Sequence, residues 1–150
     1  MIDRHPTLYL SRLLPDPMMA IMRERFQLVQ EPLDALPVPS ALREGLCQAD
    51  AAIVTLGDRI DAETIHAATR LKILANYAVG YNNIDLAAAR QRGLIVTNTP
   101  DVLTDATADL TWALLLATAR RVVEGDALVR SGRWTGWSPT QLMGAEVSGK

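Results

Sequence analysis

The chain has 150 residues, 49% of them hydrophobic and 21% charged, which is the composition of a globular protein with a buried core. The net charge of -2 and the scattered basic residues exclude the basic surface of a nucleic-acid-binding protein. Cys47, the single cysteine, cannot form an internal disulfide, and the N-terminus lacks the apolar core of a signal peptide. We therefore predict a cytoplasmic protein.

The first hundred residues alternate short apolar runs with helical patterns. Strands are predicted at Thr7–Leu10, 26–29, Ala51–Thr55, 71–76 and 94–97. Helices are predicted at 17–25, Pro39–Gln48, 61–68 and Leu86–Arg92. Asp61 and Asp85 are expected to cap the last two helices, and Gly93 to end the last one. Five strands separated by four helices predict an α/β fold, a flavodoxin-like doubly wound parallel sheet.

After Pro100 the pattern changes to one long helical region over 105–131, with a bend or break expected near Gly125. Its most apolar window, 110–119, is about half the length that spans a bilayer, so it predicts a buried helix and no membrane anchor. The final segment contains Trp134 and Trp137 without clear periodicity, which suits an arm lying on another surface. We predict one domain over residues 1–100 and the start of another over 101–150.

The sequence NYAVGYNNID, residues 76–85, ends an apparently buried strand and leads into a helix. In open parallel sheets, ligands bind beyond the carboxyl ends of the strands, and Ala78, Val79 and Gly80 lie at such an end. Backbone N–H groups there can converge on an anion, which indicates a carboxylate or phosphate site. The alternative is that Gly80 only permits a tight turn and that the asparagines after it are turn residues.

The start of the long helix allows two interpretations. Thr104 and Thr107 could bind a cofactor phosphate or ribose, or could be plain helix caps. Asp101, Asp105 and Asp109 complement the helix dipole, and no histidine accompanies them, so no metal site is predicted.

A catalytic group is not evident in these residues. His5 lies beside the N-terminus and His66 on a predicted surface helix, so neither is expected to be an acid–base catalyst. None of the nine glycines forms G-x-G, so the dinucleotide fingerprint is missing from this sequence. Cys47 is interpreted as a small core residue.

Residues 71–137 closely resemble the D-isomer-specific 2-hydroxyacid dehydrogenases, especially their glyoxylate/hydroxypyruvate reductase branch. Four ordered motifs carry the resemblance. They are the Val-Gly loop before Asn-Ile-Asp, the Thr-Asn-Thr-Pro strand exit, the Thr-Ala-Asp helix start and the Gly-Arg-Trp-Thr-Gly-Trp arm. The first seventy residues fit the family's alternating pattern without a diagnostic motif.

The resemblance implies a flavodoxin-like substrate domain, followed by the long helix and dimer arm of a truncated Rossmann-type domain that binds NAD or NADP. It assigns Ala78, Val79 and Gly80 to the carboxylate of a small 2-oxo or 2-hydroxy acid, and Thr107 to the cofactor. It also implies a homodimer built by the long helix and the arm. Trp137, or else Trp134, would then reach the neighbouring subunit's active site.

The resemblance further implies that the family's catalytic arginine, glutamate and histidine lie beyond Lys150. We therefore expect the N-terminal part of an NAD(P)-dependent reductase of glyoxylate or hydroxypyruvate, inactive on its own and self-associating through its apolar helix. A non-catalytic binding or dimerisation protein, or a gene remnant of the same family, is the alternative. A receiver-type signalling domain is disfavoured because the fifth strand ends in Thr-Asn-Thr-Pro rather than in a lysine.

Overall fold

The structure, a computed structural model, describes residues 5–30 and 32–149. Lys150, beyond which the family's catalytic residues are expected, lies outside the described residues. The chain divides into two compact units, and the division falls between Val102 and Leu103. The first unit contains all five strands, and the second contains two helices and an irregular arm.

The first unit is a five-stranded sheet with the order β2-β1-β3-β4-β5, and every neighbouring pair is parallel. The strands are β1 (Thr7–Leu10), β2 (Gln27–Leu28), β3 (Ala51–Thr55), β4 (Ile73–Tyr77) and β5 (Ile95–Thr97). The helices are α1 (Asp16–Arg25), α2 (Pro39–Gln48), α3 (Ala62–Ala67) and α4 (Leu86–Arg92). This strand order is the flavodoxin-like one, so the predicted fold class is confirmed.

The predicted helix boundaries of α3 and α4 follow from local hydrogen bonds. The Asp61 carboxylate accepts a bond from the Thr64 N–H at 2.9 Å, which lowers the pKa of Asp61. The Asp85 carboxylate accepts one from the Ala88 N–H at 3.0 Å. Gly93 ends α4 with a left-handed φ of 69°, a conformation that glycine adopts without a Cβ penalty.

The strand β4 begins later than predicted. The Leu71 N–H donates to the Ala68 carbonyl at 3.1 Å, so Leu71 belongs to the turn after α3 rather than to the strand. The strand starts at Ile73, which pairs with Ala51 of β3. It ends one residue later than predicted, at Tyr77.

The core lies on both faces of the sheet because β1 is buried along its whole length. Successive side chains of a strand point to opposite faces. Tyr9 accordingly packs in one apolar cluster with Leu46 and Leu74, while Leu8 packs in another with Met19. Helices therefore cover both faces, as the doubly wound fold requires.

The second unit corrects two expectations about the long helix. It contains α5 (Thr104–Ala119) and α6 (Val122–Arg130), so the break falls at Arg121 and not near Gly125. Arg121 has a left-handed φ of 53°, which cannot continue a right-handed helix. No residue of α5 is buried, so the expectation of a buried helix at 110–119 is wrong for this chain. Within this unit α5 packs against α6, which leaves most of the apolar surface of α5 uncovered.

In the described part of the chain, none of the helices has the length and apolar character needed to cross a membrane.

Candidate functional site

The loop after β4 is held by hydrogen bonds from the exit of β5. The Thr99 N–H donates to the Ala78 carbonyl at 2.9 Å. The Asn98 side-chain amide donates to the Val79 carbonyl at 2.8 Å. The Thr-Asn-Thr-Pro motif therefore has a structural task at this site, because it turns two consecutive loop carbonyls toward the β5 exit.

A buried asparagine, Asn76, and the partly buried Asn83 hold the other side of the loop. Asn76 is 1% exposed, and its amide group donates to the Gly80 carbonyl at 2.8 Å and to Asn83 Oδ1 at 3.2 Å. The Asn83 amide group donates in return to Asn76 Oδ1 at 3.3 Å. It also donates to the carbonyls of Thr55 at 3.2 Å and Asp58 at 3.0 Å. The loop is thereby joined to the exit of β3.

The N–H groups of Val79 and Gly80 are left free while the carbonyls of the loop are engaged, whereas the N–H of Ala78 donates to the Asn76 carbonyl at 2.8 Å. Across residues 5–30 and 32–149, no protein acceptor is bonded to the N–H of Val79 or of Gly80. Val79 is 41% exposed and Gly80 is also exposed, so both groups lie on an accessible part of the loop. Adjacent free backbone N–H groups are a recurrent arrangement for binding an anion.

Gly80 is not required by the turn itself. Its φ lies outside the left-handed region, unlike that of Gly93. A Cβ at this position would meet Asn82 Oδ1 at 3.5 Å and Leu56 Cδ1 at 3.9 Å, which are ordinary contacts. The alternative that Gly80 serves only a tight turn thus loses its conformational argument, whereas close approach of a ligand to the backbone remains a reason for glycine.

The Asp58 carboxylate is a buried polar group that the sequence analysis did not identify. Asp58 is 2% exposed, and its Oδ2 accepts bonds from the Ser11 hydroxyl at 2.6 Å and the Thr55 N–H at 2.7 Å. The Thr55 hydroxyl donates to the same oxygen at 3.0 Å. Its place in the turn three residues after the end of β3 is the feature of the sequence that could have indicated a role at this strand exit. The carboxylate fixes the β3 exit, to which Asn83 is bonded.

A cavity of about 320 Å³ lies at the carboxyl ends of β3, β4 and β5. It is lined by Leu14, Pro15, Met18, Ile53, Ala75, Asn76, Tyr77, Thr97, Asn98 and Thr99. These side chains carry no positive charge, so the cavity offers no counter-charge to an anion. The capacity for binding an anion therefore rests on the loop N–H groups.

Thr107 lies in the first turns of α5. Its N–H donates to the Leu103 carbonyl at 2.9 Å, and its carbonyl accepts a bond from the Thr111 hydroxyl at 2.8 Å. Leu103 occupies the N-cap position and offers no side-chain bond, so the interpretation of Thr104 and Thr107 as plain caps is wrong. An exposed threonine hydroxyl beside a helix start without a side-chain cap fits a phosphate or a ribose.

The two arm tryptophans are strongly exposed in the chain. Trp134 is 51% and Trp137 is 83% exposed, and Gly136 between them has a φ of 121°. Trp137 is almost uncovered and Trp134 is about half covered, and such aromatic groups are enriched at protein interfaces.

Within the described residues, no hydrogen bond joins either histidine to the loop after β4. His5 Nδ1 lies 3.0 Å from the Arg25 carbonyl, and His66 is exposed on α3. Within the described ranges, no group of three or more histidine, cysteine, aspartate or glutamate side chains is arranged to hold a metal ion. Cys47 is partly buried and packs against the larger core cluster.

Known proteins are similar to this chain in sequence and in fold. Glyoxylate reductase from Thermococcus kodakarensis is 45% identical over 149 residues, covering 97% of this chain and 45% of that protein. Glyoxylate reductase from Pyrococcus furiosus is 47% identical over 150 residues, covering 97% of this chain and 44% of that protein. The crystal structure of the TT0316 protein from Thermus thermophilus is 48% identical with a TM-score of 0.83, covering 93% of this chain and 45% of that chain.

The chain spans less than half the length of these relatives. The family model for the catalytic domain of the D-isomer specific 2-hydroxyacid dehydrogenases matches residues 8–139. That match includes the sheet except Thr7, the loop after β4 and both helices of the second unit. The chain belongs to the D-isomer specific 2-hydroxyacid dehydrogenase family.

Proposed function

We propose that this chain is the substrate-binding part of an NAD- or NADP-dependent D-2-hydroxyacid dehydrogenase that reduces glyoxylate or hydroxypyruvate to the corresponding 2-hydroxy acid. The observation that carries the proposal is the pair of free N–H groups at Val79 and Gly80, on a loop whose carbonyls are engaged elsewhere. The glyoxylate reductases among its relatives support glyoxylate as the substrate. Hydroxypyruvate has the same carboxylate next to an oxo group.

The proposed task of the loop is to bind and orient the substrate carboxylate. Backbone N–H groups donate charge-assisted hydrogen bonds to a carboxylate, and these are stronger than bonds between neutral groups. The rigid attachment of the loop to the β3 and β5 exits fixes the direction of the bonds. A fixed carboxylate leaves the neighbouring oxo carbon in one orientation, which favours reaction at that carbon.

The proposed cofactor is a nicotinamide dinucleotide, which supplies the hydride when bound. Thr107 would contact it through its hydroxyl at the start of α5. We propose that residues 1–100 form the substrate domain and that 101–150 begin the cofactor domain. The division of the structure after Val102 supports this assignment.

We also propose that α5 and the arm form a homodimer interface in which Trp137 reaches the substrate loop of the second copy. The exposure of Trp137 and Trp134 supports this proposal, as do the uncovered apolar side chains of α5. Large aromatic side chains contribute disproportionately to binding at such interfaces.

The proposed activity is tested by following nicotinamide absorbance with glyoxylate and hydroxypyruvate, for the 150-residue chain and for the complete product of its gene. We expect reduction by the complete product and none by the 150-residue chain, because the family resemblance places the catalytic arginine, glutamate and histidine beyond Lys150. Absence of reduction by the complete product with either nucleotide would favour the non-catalytic binding or dimerisation alternative.

A further inference from the structure

We propose that Asn98 and Asn76 are positioning residues that hold three consecutive loop N–H groups outward, so that Tyr81 supplies a third donor beside Val79 and Gly80. This inference rests on the proposed carboxylate-binding role of the loop. It goes further because it names a third donor and the two side chains that set the direction of the donors.

The argument starts from the planar peptide group. In a trans peptide, the carbonyl of one residue and the N–H of the next point in opposite directions. The described residues contain no cis peptide bond. A hydrogen bond to a loop carbonyl therefore fixes the direction of the N–H group on the following residue.

Two of the three peptide groups are fixed from the β5 exit. The bond from the Thr99 N–H to the Ala78 carbonyl, at 2.9 Å, directs the Val79 N–H away from Thr99. The bond from the Asn98 amide to the Val79 carbonyl, at 2.8 Å, directs the Gly80 N–H away from Asn98. Asn98 thus acts on a donor that it does not touch.

The third peptide group is fixed from the interior. Asn76 donates to the Gly80 carbonyl at 2.8 Å, which directs the Tyr81 N–H away from the buried amide. Burying a side-chain amide is costly unless its polar atoms are bonded. The reciprocal bonds with Asn83 and the bond to Gly80 meet this need, so a rotated loop would leave a buried donor without a partner.

The result is three neighbouring N–H groups without a protein acceptor in the ranges 5–30 and 32–149, on Val79, Gly80 and Tyr81. Val79, Gly80 and Tyr81 are all exposed. Successive backbone N–H groups of this kind form concave sites for anions. A carboxylate has two oxygens with about four acceptor positions between them, so it can accept all three bonds.

The test is an NMR titration of the 150-residue chain with sodium glyoxylate at constant ionic strength, following the amide resonances of Val79, Gly80 and Tyr81. The variants are Asn98→Ala and the matched control Asn82→Ala. Asn82 lies on the same loop, is exposed, and has no side-chain hydrogen bond within the described residues. Acetamide, which lacks the carboxylate, is the ligand control.

We expect saturable shifts of all three amides in the unmodified chain and in Asn82→Ala. In Asn98→Ala we expect a two- to tenfold weaker glyoxylate affinity, which corresponds to the loss of one hydrogen bond. The Gly80 resonance should also move in the ligand-free variant, because its peptide group is released. A purely structural role for Asn98 would move the unfolding midpoint without changing affinity.

The outcomes separate the two proposals. If glyoxylate shifts none of the loop amides in the unmodified chain, the carboxylate-binding role itself is wrong. If it binds the unmodified chain and Asn98→Ala equally well, the positioning role is wrong while the carboxylate role stands. If only the Tyr81 amide fails to shift, Tyr81 is not a donor to the carboxylate, and that part of the inference is wrong. Asn76→Ser, which keeps a short donor, provides a second variant in which a weaker affinity is again expected and an unchanged one contradicts the role of Asn76.

Discussion

The Thr7 hydroxyl donates to the Asp50 carboxylate at 2.6 Å and joins the starts of β1 and β3, at the end of the sheet opposite the loop after β4. The Thr7 N–H donates to the same oxygen at 2.9 Å, and Arg70 forms an ion pair with the other oxygen at 3.2 Å. The bonds from Thr7, followed by the contribution of Arg70, lower the pKa of Asp50 from its ordinary 3.8 to about 2.

Thr7→Val is expected to lower the free energy of unfolding and to reduce the further loss of that free energy at acid pH. A folded-state pKa below the unfolded value contributes stability that is present above about pH 3.8 and is lost as the pH falls through about 2. The valine removes the hydroxyl bonds, so we expect a loss of about 1–2 kcal/mol at neutral pH and a smaller further loss in acid. Urea unfolding across this pH range measures both effects. Thr69→Val, at an exposed site, is the control and should change neither.

Tyr9→Phe is expected to leave the free energy of unfolding unchanged or to raise it by up to about 1 kcal/mol. Tyr9 is buried, and within the described residues its hydroxyl has no hydrogen-bond partner. Burial, followed by the charge of Asp58, raises the pKa of Tyr9 above 10.0. The free energy of unfolding should therefore fall as the pH rises above 10.0, because the tyrosine ionises more readily in the unfolded chain. The Phe variant should lack this alkaline loss of stability.

Ser11→Ala provides the contrast for Tyr9→Phe. The Ser11 hydroxyl donates to the buried Asp58 carboxylate at 2.6 Å, so its removal should cost about 1–3 kcal/mol in thermal or urea unfolding. Comparable losses in Tyr9→Phe and Ser11→Ala would mean that the tyrosine hydroxyl has a partner.

Gly93→Ala and Gly80→Ala should differ in stability although both glycines follow secondary structure. Gly93 has a left-handed φ of 69° with open space around it, so alanine there costs about 1 kcal/mol through the backbone alone. Gly80 has no such φ, and an added Cβ would make ordinary contacts, so its change should stay within about 0.5 kcal/mol. Equal losses in thermal unfolding would contradict this distinction.

The helix ends of the first unit could be predicted because their causes are local. Asp61 and Asp85 each cap a helix through an N–H three residues away. Gly93 ends α4 by its own backbone conformation. Alternating apolar runs were likewise sufficient for the five strands and, with the helices between them, for the parallel sheet.

The polar supports of the loop could not be predicted because their partners are distant in sequence. Asn83, which the turn alternative treats as a turn residue, donates to carbonyls 25 and 28 residues away, on Asp58 and Thr55. From the sequence alone, Asn76 is only the last residue of a predicted strand. Bonds between separate strand exits depend on the fold as a whole, and local turn rules contain no information about them.

The break in the long helix was misplaced because a glycine was given too much weight. Glycine inside a helix costs only about 1 kcal/mol, and Gly125 lies within α6. The break instead follows from the left-handed backbone at Arg121, whose side chain forms an ion pair with Glu124. The exposure of α5 was missed because burial depends on a covering partner, which helix periodicity cannot supply.

The uncovered surface of α5 is expected to drive self-association of the chain. Leu110 and Leu114 lie one turn apart on one side of α5 and are 59% and 60% exposed. Replacing both by glutamate places charges where an apolar contact would form, so we expect at least about tenfold weaker association. Size-exclusion chromatography with light scattering over a concentration series measures the effect.

The matched control for this prediction is Leu33→Glu with Leu36→Glu, which adds the same charge at exposed leucines of the first unit. The control should associate like the unmodified chain, because its added charges lie away from α5. A general effect of net charge would instead weaken the association of both variants equally. A monodisperse monomer of the unmodified chain at every concentration would contradict the homodimer interface. Association that both variants retain would place the interface outside this side of α5, and Trp134 and Trp137 of the arm would be the next exposed apolar side chains to replace.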